Sequence, residues 1–308
     1  MKFSVTIPAY KSKFLKEAIE SVLCQSYMDF ELIIVDDHSP EDLKSIVAEF
    51  SDPRIRYYRN EKNCGAVDVV DNWNICLSYC SGDYVICMGD DDRLTPCCLE
   101  EYERIIVKFP QLEVYHAQTE IIDESGAIIK QLEERPAYET GLEMLKKRFL
   151  GRQQYIGDFC YDVSRLRANG GFYKLPLAWC SDDITAFRAA STHGIANTDK
   201  VCFQYRDNRY TISNDTMPAT KINALEKAER WYIDFFEGCN VINKNELIAA
   251  KKTYFSNLYI QQLLRLFKTD KRNVIFYMRI CLKLNNTLLM YLKIVILSFM
   301  KKNIMLNG

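Results

Sequence analysis

Histidine is scarce in this chain, with three in 308 residues. Cysteine is not, but its twelve copies form no C-x-x-C pair, and the vicinal Cys97-Cys98 has no histidine at ligand spacing. A zinc site is therefore not expected. G-x-G-x-x-G and G-x-x-x-x-G-K-[ST] are both missing, which withdraws support from a Rossmann dinucleotide site and from a P-loop. No sign of charge predominates: 40 basic residues face 41 acidic ones, for a net charge of −1. No global field draws in nucleic acid or an anionic membrane, so any charge-driven binding must be local. The most apolar segment near the end, 287–300, is broken by Lys293 and is too short and too charged for a membrane span. The start, "MKFSVTIPAY", enters a strand-like run without an n-region, an h-region and a cleavage site, so no secretory signal is expected. The cysteines then read as reduced core residues of a cytosolic protein. No internal repeat and no low-complexity linker interrupts the chain.

What is present is an ordinary globular composition, 48% apolar and 26% charged, in a chain long enough for a large core. In the first half the period alternates. "FSVTIP" (3–8), "ELIIVD" (31–36), "RIRYYR" (54–59), "DYVICM" (83–88) and "EVYHAQ" (113–118) read as strands. "KFLKEAIESVLCQ" (13–25), "PEDLKSIVAEF" (40–50), "VDVVDNWNICLSYC" (67–80) and "PCCLEEYERIIVKF" (96–109) read as helices between them. Strand and helix in alternation predict βαβ units and a mostly parallel sheet with helices on both sides. Ligands of such sheets bind beyond the carboxyl ends of the strands. Pro8-Ala9-Tyr10, Asp36-Asp37 and Asp90-Asp91-Asp92 all fall at such ends, which predicts one shared crevice. From about 120 to 215 the pattern is less regular, with a loop at Gly170-Gly171 and Pro176 and a helix start at "SDDITAFRAAS". From about 218 onward the chain reads as helical.

Each acidic cluster has a plain and a chemical reading. Asp90–Asp92 are placed to hold a hard divalent cation. Equally, Asp92 or Thr95 would cap the following helix. Asp36-Asp37 would accept from a ribose or a base, or Asp37 or Ser39 would cap 40–50. Tyr10 would stack on a nucleobase, or lie half-buried at a sheet edge. Asp182-Asp183 would supply a general base, or simply favour a helix N-terminus. "GGF" would let a substrate approach closely, or only turn the chain. Trp73 reads as core. The C-terminal helices, with Arg279, Lys283, Lys293, Lys301 and Lys302 beside apolar residues, would lie at a membrane interface or pack against the domain or a subunit.

The order of these pieces adds what no single one carries. "FSVTIPAYKSKFLKEAIESVLCQSYMDFELIIVDDHSPEDL", then "RIRYYRNEKNCGA", "SGDYVICMGDDDRLTP" and "GGFYKLPLAWCSDD" resemble the family-2 glycosyltransferases, inverting enzymes of the GT-A fold that use nucleotide sugars. The likeness covers roughly residues 2–215, most tightly 2–97. It implies a GT-A domain over 1–215, with a nucleotide part to about 97 and an acceptor part over 98–215, and a helical region over 216–308. It implies that Pro8, Ala9 and Tyr10 line the nucleotide pocket, that Asp36 or Asp37 binds the uridine, and that Asn63 and Gly65 flank it. Asp90 would sit by the nucleotide, with Asp91 and Asp92 on Mn²⁺ or Mg²⁺. Asp183 would be the catalytic base with Asp182 beside it. Gly171 and Trp179 would border the donor sugar and acceptor.

Two departures stand out. The family string L-D-x-D-D has Gly89 in its first Asp position here, which leaves open which carboxylate touches the ion. A-R-N is replaced by "NWN", so the phosphate-contacting arginine must come from elsewhere, and Arg206 or Arg209 is the candidate. The resemblance implies transfer of a sugar from a UDP-linked donor to a saccharide or lipid-linked acceptor in surface-polysaccharide or glycolipid synthesis, without nucleic acid. The setting would be cytoplasmic, with peripheral membrane contact and homo-oligomerisation open. A sugar nucleotidyltransferase and a non-catalytic nucleotide-sugar-binding subunit are the alternatives. The first would show a Gly-rich N-terminal loop that "IPAYKSKFLKEA" lacks, and the second would have lost acids that this chain keeps.

Overall fold

A computed structural model describes residues 1–208, 217–238, 244–269 and 276–279. The first part of the chain follows the expected alternation: β1 (Phe3–Ala9), α1 (Leu15–Leu23), β2 (Phe30–Asp36), α2 (Leu43–Val47), β3 (Ile55–Arg59), α3 (Val69–Tyr79) and β4 (Tyr84–Cys87). Then come the short β5 (Arg93–Leu94), α4 (Cys98–Lys108), β6 (Val114–Ile122), β7 (Ile128–Gln131), β8 (Tyr138–Glu139) and α5 (Gly141–Phe149). β9 (Phe159–Asp162), α6 (Val163–Ala168), α7 (Ser181–His193) and β10 (Ile195–Arg206) complete the sheet. Two long helices follow, α8 (Pro218–Gly238) and α9 (Lys244–Thr269).

All ten strands form one sheet, with the central order β3-β2-β1-β4-β9-β6-β10-β5, and with β7 on β6 and β8 on β10. β1, β2, β3 and β4 pair in parallel. The strands after β4 differ from the expectation of a mostly parallel sheet. β9 lies antiparallel between β4 and β6, and β5, β7 and β8 also pair antiparallel. The sheet is therefore mixed. Its central strands are buried, β2 and β6 at every position, because helices cover both faces, while β7 at the margin is exposed. α1 and α4 bury apolar stripes on one face, joined by Leu15, Ile19, Leu99 and Ile105. α3, α5 and α7 cover the other. α8 and α9 belong to that same core: Leu225, Tyr232, Phe255 and Tyr259 pack with Phe149 and Phe187. A buried ion pair, Lys251 Nζ to Glu229 Oε1 at 3.2 Å, ties α9 to α8.

The free cysteines of the described residues sit mostly in these cores, at 76, 80, 87, 98, 160, 180 and 202. No helix among the described residues is long and apolar enough to cross a membrane. The C-terminal segment 287–300 lies outside the described residues, as do Arg209, Lys283, Lys293, Lys301 and Lys302.

Candidate active site

The ends of β1, β2 and β4 meet, as the parallel topology requires, because β1 lies between the other two. Asp90 does the joining. Its Oδ2 accepts from the backbone N–H of both Tyr10 and Lys11, each at 2.7 Å. Burial and neighbouring Asp91 push Asp90 up to about 6, against the pull of those two donors. Asp92 is also committed to backbone: Oδ1 accepts from Arg206 N at 2.9 Å and Oδ2 from Gly89 N at 3.3 Å. Burial, with Asp91 beside it, raises its pKa well above the usual carboxylate value. Neither Asp92 nor Thr95 caps α4, since the Thr95 hydroxyl donates to Val201 O.

Asp91 is the least buried of the three. Its Oδ2 accepts from Asn208 Nδ2 at 2.9 Å. Gly89 makes this packing possible. A Cβ there would lie 2.7 Å from Asp91 Oδ1 and 2.9 Å from Asp92 Oδ2, so the two carboxylates occupy the space of a side chain. The donor set is oxygen-only and suits a hard cation. No group of three His, Cys, Asp or Glu side chains converges among the described residues. An ion here must complete its shell from phosphate oxygens and water, as Mg²⁺ and Mn²⁺ commonly do.

Asp36 is wholly buried and already saturated. It accepts from Ser39 N, Tyr57 Oη and the Arg59 guanidinium. Asp37 anchors the next loop through Cys64 N and Asn60 Nδ2, and Asn63 Nδ2 donates to its carbonyl. Asp42, not Asp37 or Ser39, caps α2. Tyr10 is 42% exposed, so its ring remains presented at the crevice. Pro8 and Ala9 are the last residues of β1, and Gly65 (φ 80°) opens the turn into α3.

α7 begins at Ser181 after Cys180 in the left-handed region, and two acids fall in its first turn. Asp183 is 3% exposed, and its Oδ1 accepts from Arg148 Nε at 2.7 Å and Gln154 Nε2 at 2.8 Å. Asp182 lines a cavity of about 280 Å³, together with Asp92, Trp179, Trp73 and Tyr254. Burial and the Asp183 charge push Asp182 up to about 8, with Arg148 opposing. One residue from each acidic cluster, Asp92 and Asp182, thus lines the same chamber. Trp179 lines it, and Lys221 of α8 lies 4.5 Å from that ring centroid. Trp73 is mostly buried yet also faces the cavity.

Gly171 has a different place. Its φ is +79°, and an added Cβ would lie 2.3 Å from Asn74 Oδ1. Asn74 clamps the loop by bonds to Phe172 N and O. The glycine serves a close approach of loop to helix α3. Arg206 is likewise structural. It is fully buried, with its guanidinium bonded to Asp91 O, Asp123 O and Glu124 O and paired with Glu17, so it is not available to a diphosphate.

Arg148, Gln154, Tyr254 and Leu258 also build the chamber and carried no sequence signal. In the sequence Arg148 only closes the basic run Lys146-Lys147-Arg148. Tyr254 and Leu258 were two apolar positions among many on an amphipathic helix.

The comparison with known proteins agrees with this geometry. The family model for glycosyl transferase family 2 matches residues 4–161, half of the chain. The chain belongs to glycosyl transferase family 2. It is 30% identical over 221 residues to the UDP-Glc:α-D-GlcNAc-diphosphoundecaprenol β-1,3-glucosyltransferase of Escherichia coli, covering 71% of this chain and 82% of that one. It is 30% identical over 161 residues to the GalNAc(5)-diNAcBac-PP-undecaprenol β-1,3-glucosyltransferase of Campylobacter jejuni, covering 51% and 50%. Over two further relatives, from E. coli and Bacillus subtilis, the family-2 chain spans only 33% and 45% of their length. Its fold is that of S. aureus TarS 1–349, solved with UDP-GlcNAc: TM-score 0.64 at 18% identity, covering 89% of this chain and 74% of that one.

Proposed function

We propose that the chain transfers a sugar from a UDP-linked donor to an acceptor hydroxyl, with inversion at the anomeric carbon. The observation that carries this reading is the shared chamber: Asp92 of the triple-Asp loop and Asp182 of the acid pair line the same cavity. At about 280 Å³ the cavity is smaller than the roughly 300–1,000 Å³ of a complete small-molecule pocket. The sugar and the attacking hydroxyl fit this role. The uridine lies outside, along the strand ends, with Tyr10 stacking on the base and Asp37 accepting from it. Asp36 holds Tyr57 and Arg59 rather than ligand.

The triple-Asp loop divides its work. Asp90 and Asp92 are bound to backbone and fix the loop, and Asp91 offers the direct oxygen for Mn²⁺ or Mg²⁺. That ion, when bound, neutralises the charge that gathers on the leaving diphosphate.

The acceptor proton goes to the acid pair. Asp182 faces the chamber and has a proton affinity suited to a base near neutral pH. Asp183 stays in bonds to Arg148 and Gln154 and fixes the start of α7. This assigns the base one residue earlier than the family resemblance implies. A single displacement, with the base on the face opposite the diphosphate, inverts the centre. The names of the two glucosyltransferase relatives support a diphosphate-lipid-linked acceptor, and hence work at the cytoplasmic membrane surface.

Thermal shift with UDP, GDP, dTDP and CMP, each with and without Mn²⁺, tests the donor assignment. UDP with Mn²⁺ is expected to stabilise most. Equal shifts for all four, or no dependence on the metal, would count against it.

A further inference from the structure

A second cavity, of about 260 Å³, opens beside the first. Its charged lining is mostly basic, with Glu133 as an acid at its wall. His116 comes from β6, Lys130 from β7, Arg135 from the segment after β7, and Arg152 and Gln153 from the loop after α5. Several of these donors lack acceptors. His116 is 2% exposed, and neither of its ring nitrogens has a hydrogen-bond partner among the described residues. The same holds for Arg135 Nη1 and Arg152 Nε. Unsatisfied buried polar groups are costly, and three lining residues on separate segments carry them.

The neighbouring acids do not fill this need. Glu139 takes Arg152 through Nη1 and Nη2, each at 2.9 Å, and leaves Nε unmet. Glu133 Oε1 lies 3.9 Å from that Nε, beyond hydrogen-bond reach, and the Glu133 side chain is 59% exposed. Asp158 Oδ2 sits 3.5 Å from His116 Nε2, while its oxygens accept from Thr119 Oγ1 and Tyr155 N. Lys130 Nζ donates to Gln153 Oε1, and Arg135 Nη2 to Gln153 O. Burial and Arg152 together push Arg135 down to about 9, the mark of crowded cations with too little counter-charge.

We propose that this cavity binds a phosphoryl anion, with Arg135, Arg152, Lys130 and His116 as its donors. A planar carboxylate offers two oxygens in one plane. A phosphoryl group offers three or four oxygens in a tetrahedral array, which matches donors converging from several sides. The volume admits a diphosphate as readily as a phosphate. Ile128, two residues from Lys130 on the same face of β7, is 56% exposed, where an apolar substituent of the anion would rest. The site is one residue from the catalytic chamber: Gln153 faces it while Gln154 holds Asp183.

The full chain is titrated by calorimetry in EDTA with inorganic phosphate, pyrophosphate and geranyl diphosphate. Pyrophosphate binding is expected. K130Q and R135Q each weaken it about tenfold, the loss of one charge-assisted contact. Lys130 is exposed, so K130Q keeps the test open even if R135Q folds poorly. D91N, which alters the nucleotide crevice, leaves pyrophosphate affinity unchanged. Tighter binding of geranyl diphosphate, with the same sensitivity to K130Q, marks a lipid head group as the source; equal binding marks the free anion. No binding of any of the three, binding indifferent to K130Q and R135Q, or binding lost in D91N would overturn the proposal.

Discussion

Adjacent aspartates divide their labour three times in this chain, and each time burial and bonding separate them. Asp36 is spent on Tyr57, Arg59 and Ser39, while Asp37 holds the following loop. Asp90 and Asp92 brace backbone, while Asp91 stays at the crevice. Asp183 is bound to Arg148, while Asp182 meets the chamber. Asp182→Asn should lower kcat by about 10²–10⁴, as expected for the loss of a general base, with UDP affinity nearly intact. Asp183→Asn should cost less in kcat and more in thermal stability, because it leaves the Arg148 guanidinium in a mostly buried place without its counter-charge. Steady-state kinetics on both variants decides. A larger kcat loss in Asp183→Asn would move the base to that residue. Gly171 makes a separate case. An alanine there meets both a positive φ and the Asn74 amide, so Gly171→Ala should cost about 1–3 kcal/mol in chemical denaturation.

At the scale of elements, the C-terminal helices form part of the chamber. Tyr254 and Leu258 of α9 line it, and the Arg148 guanidinium lies 5.2 Å from the Tyr254 ring centroid. One side chain thus bonds Asp183 of α7 and stacks on α9. Tyr254→Ala should raise the acceptor KM about tenfold while UDP binding holds, since the uridine is assigned to Tyr10 and Asp37 outside the chamber. A comparable loss of UDP affinity would refute this division.

The same contrast explains what could be read from sequence. Continuous apolar runs such as "ELIIVD" announce buried parallel strands, and β1 to β4 with their helices follow the expected order. β9 was invisible, since "FCYD" is four residues long and its pairing with β4 and β6 depends on neighbours 75 and 45 positions away. The acids stood out because clustered carboxylates need a physical reason. Arg148 and Tyr254 did not, because their role exists only once α5, α7 and α9 have packed.

Taken whole, the molecule keeps several protonated carboxyls on one side of its sheet, and this sets how its stability responds to pH. Burial pushes Asp158 up to about 7, and burial with Asp183 pushes Asp182 up to about 8. In the unfolded chain both would ionise near pH 4. Between these limits the folded state holds protons that the unfolded state releases, so stability falls as pH rises. His116 acts in the opposite sense. Burial, with Arg135 and Arg152 nearby, keeps it neutral and well below its usual value, so its contribution is complete above about pH 6.5 and fades as pH falls. Glu31, held down near 2 by bonds from Ser81, Ser4 and Arg56 despite its burial, has given its full contribution by about pH 5. Below pH 6.5 the acids and the histidine therefore oppose each other. From there to about pH 8 the acids lower stability, and beyond it the buried thiols, such as Cys80 pushed up to about 11 by burial, continue the fall. Thermal denaturation in EDTA should show a melting temperature that declines from pH 6.5 to 8 and keeps falling beyond. Asp182→Asn should flatten the upper part of that decline, near pH 8. Asp158→Asn should flatten the lower part, near pH 7. A melting temperature that rises across this window in the parent chain would show that the chamber acids are ionised in the folded state, and Asp182 would then lose its standing as a base tuned to neutral pH.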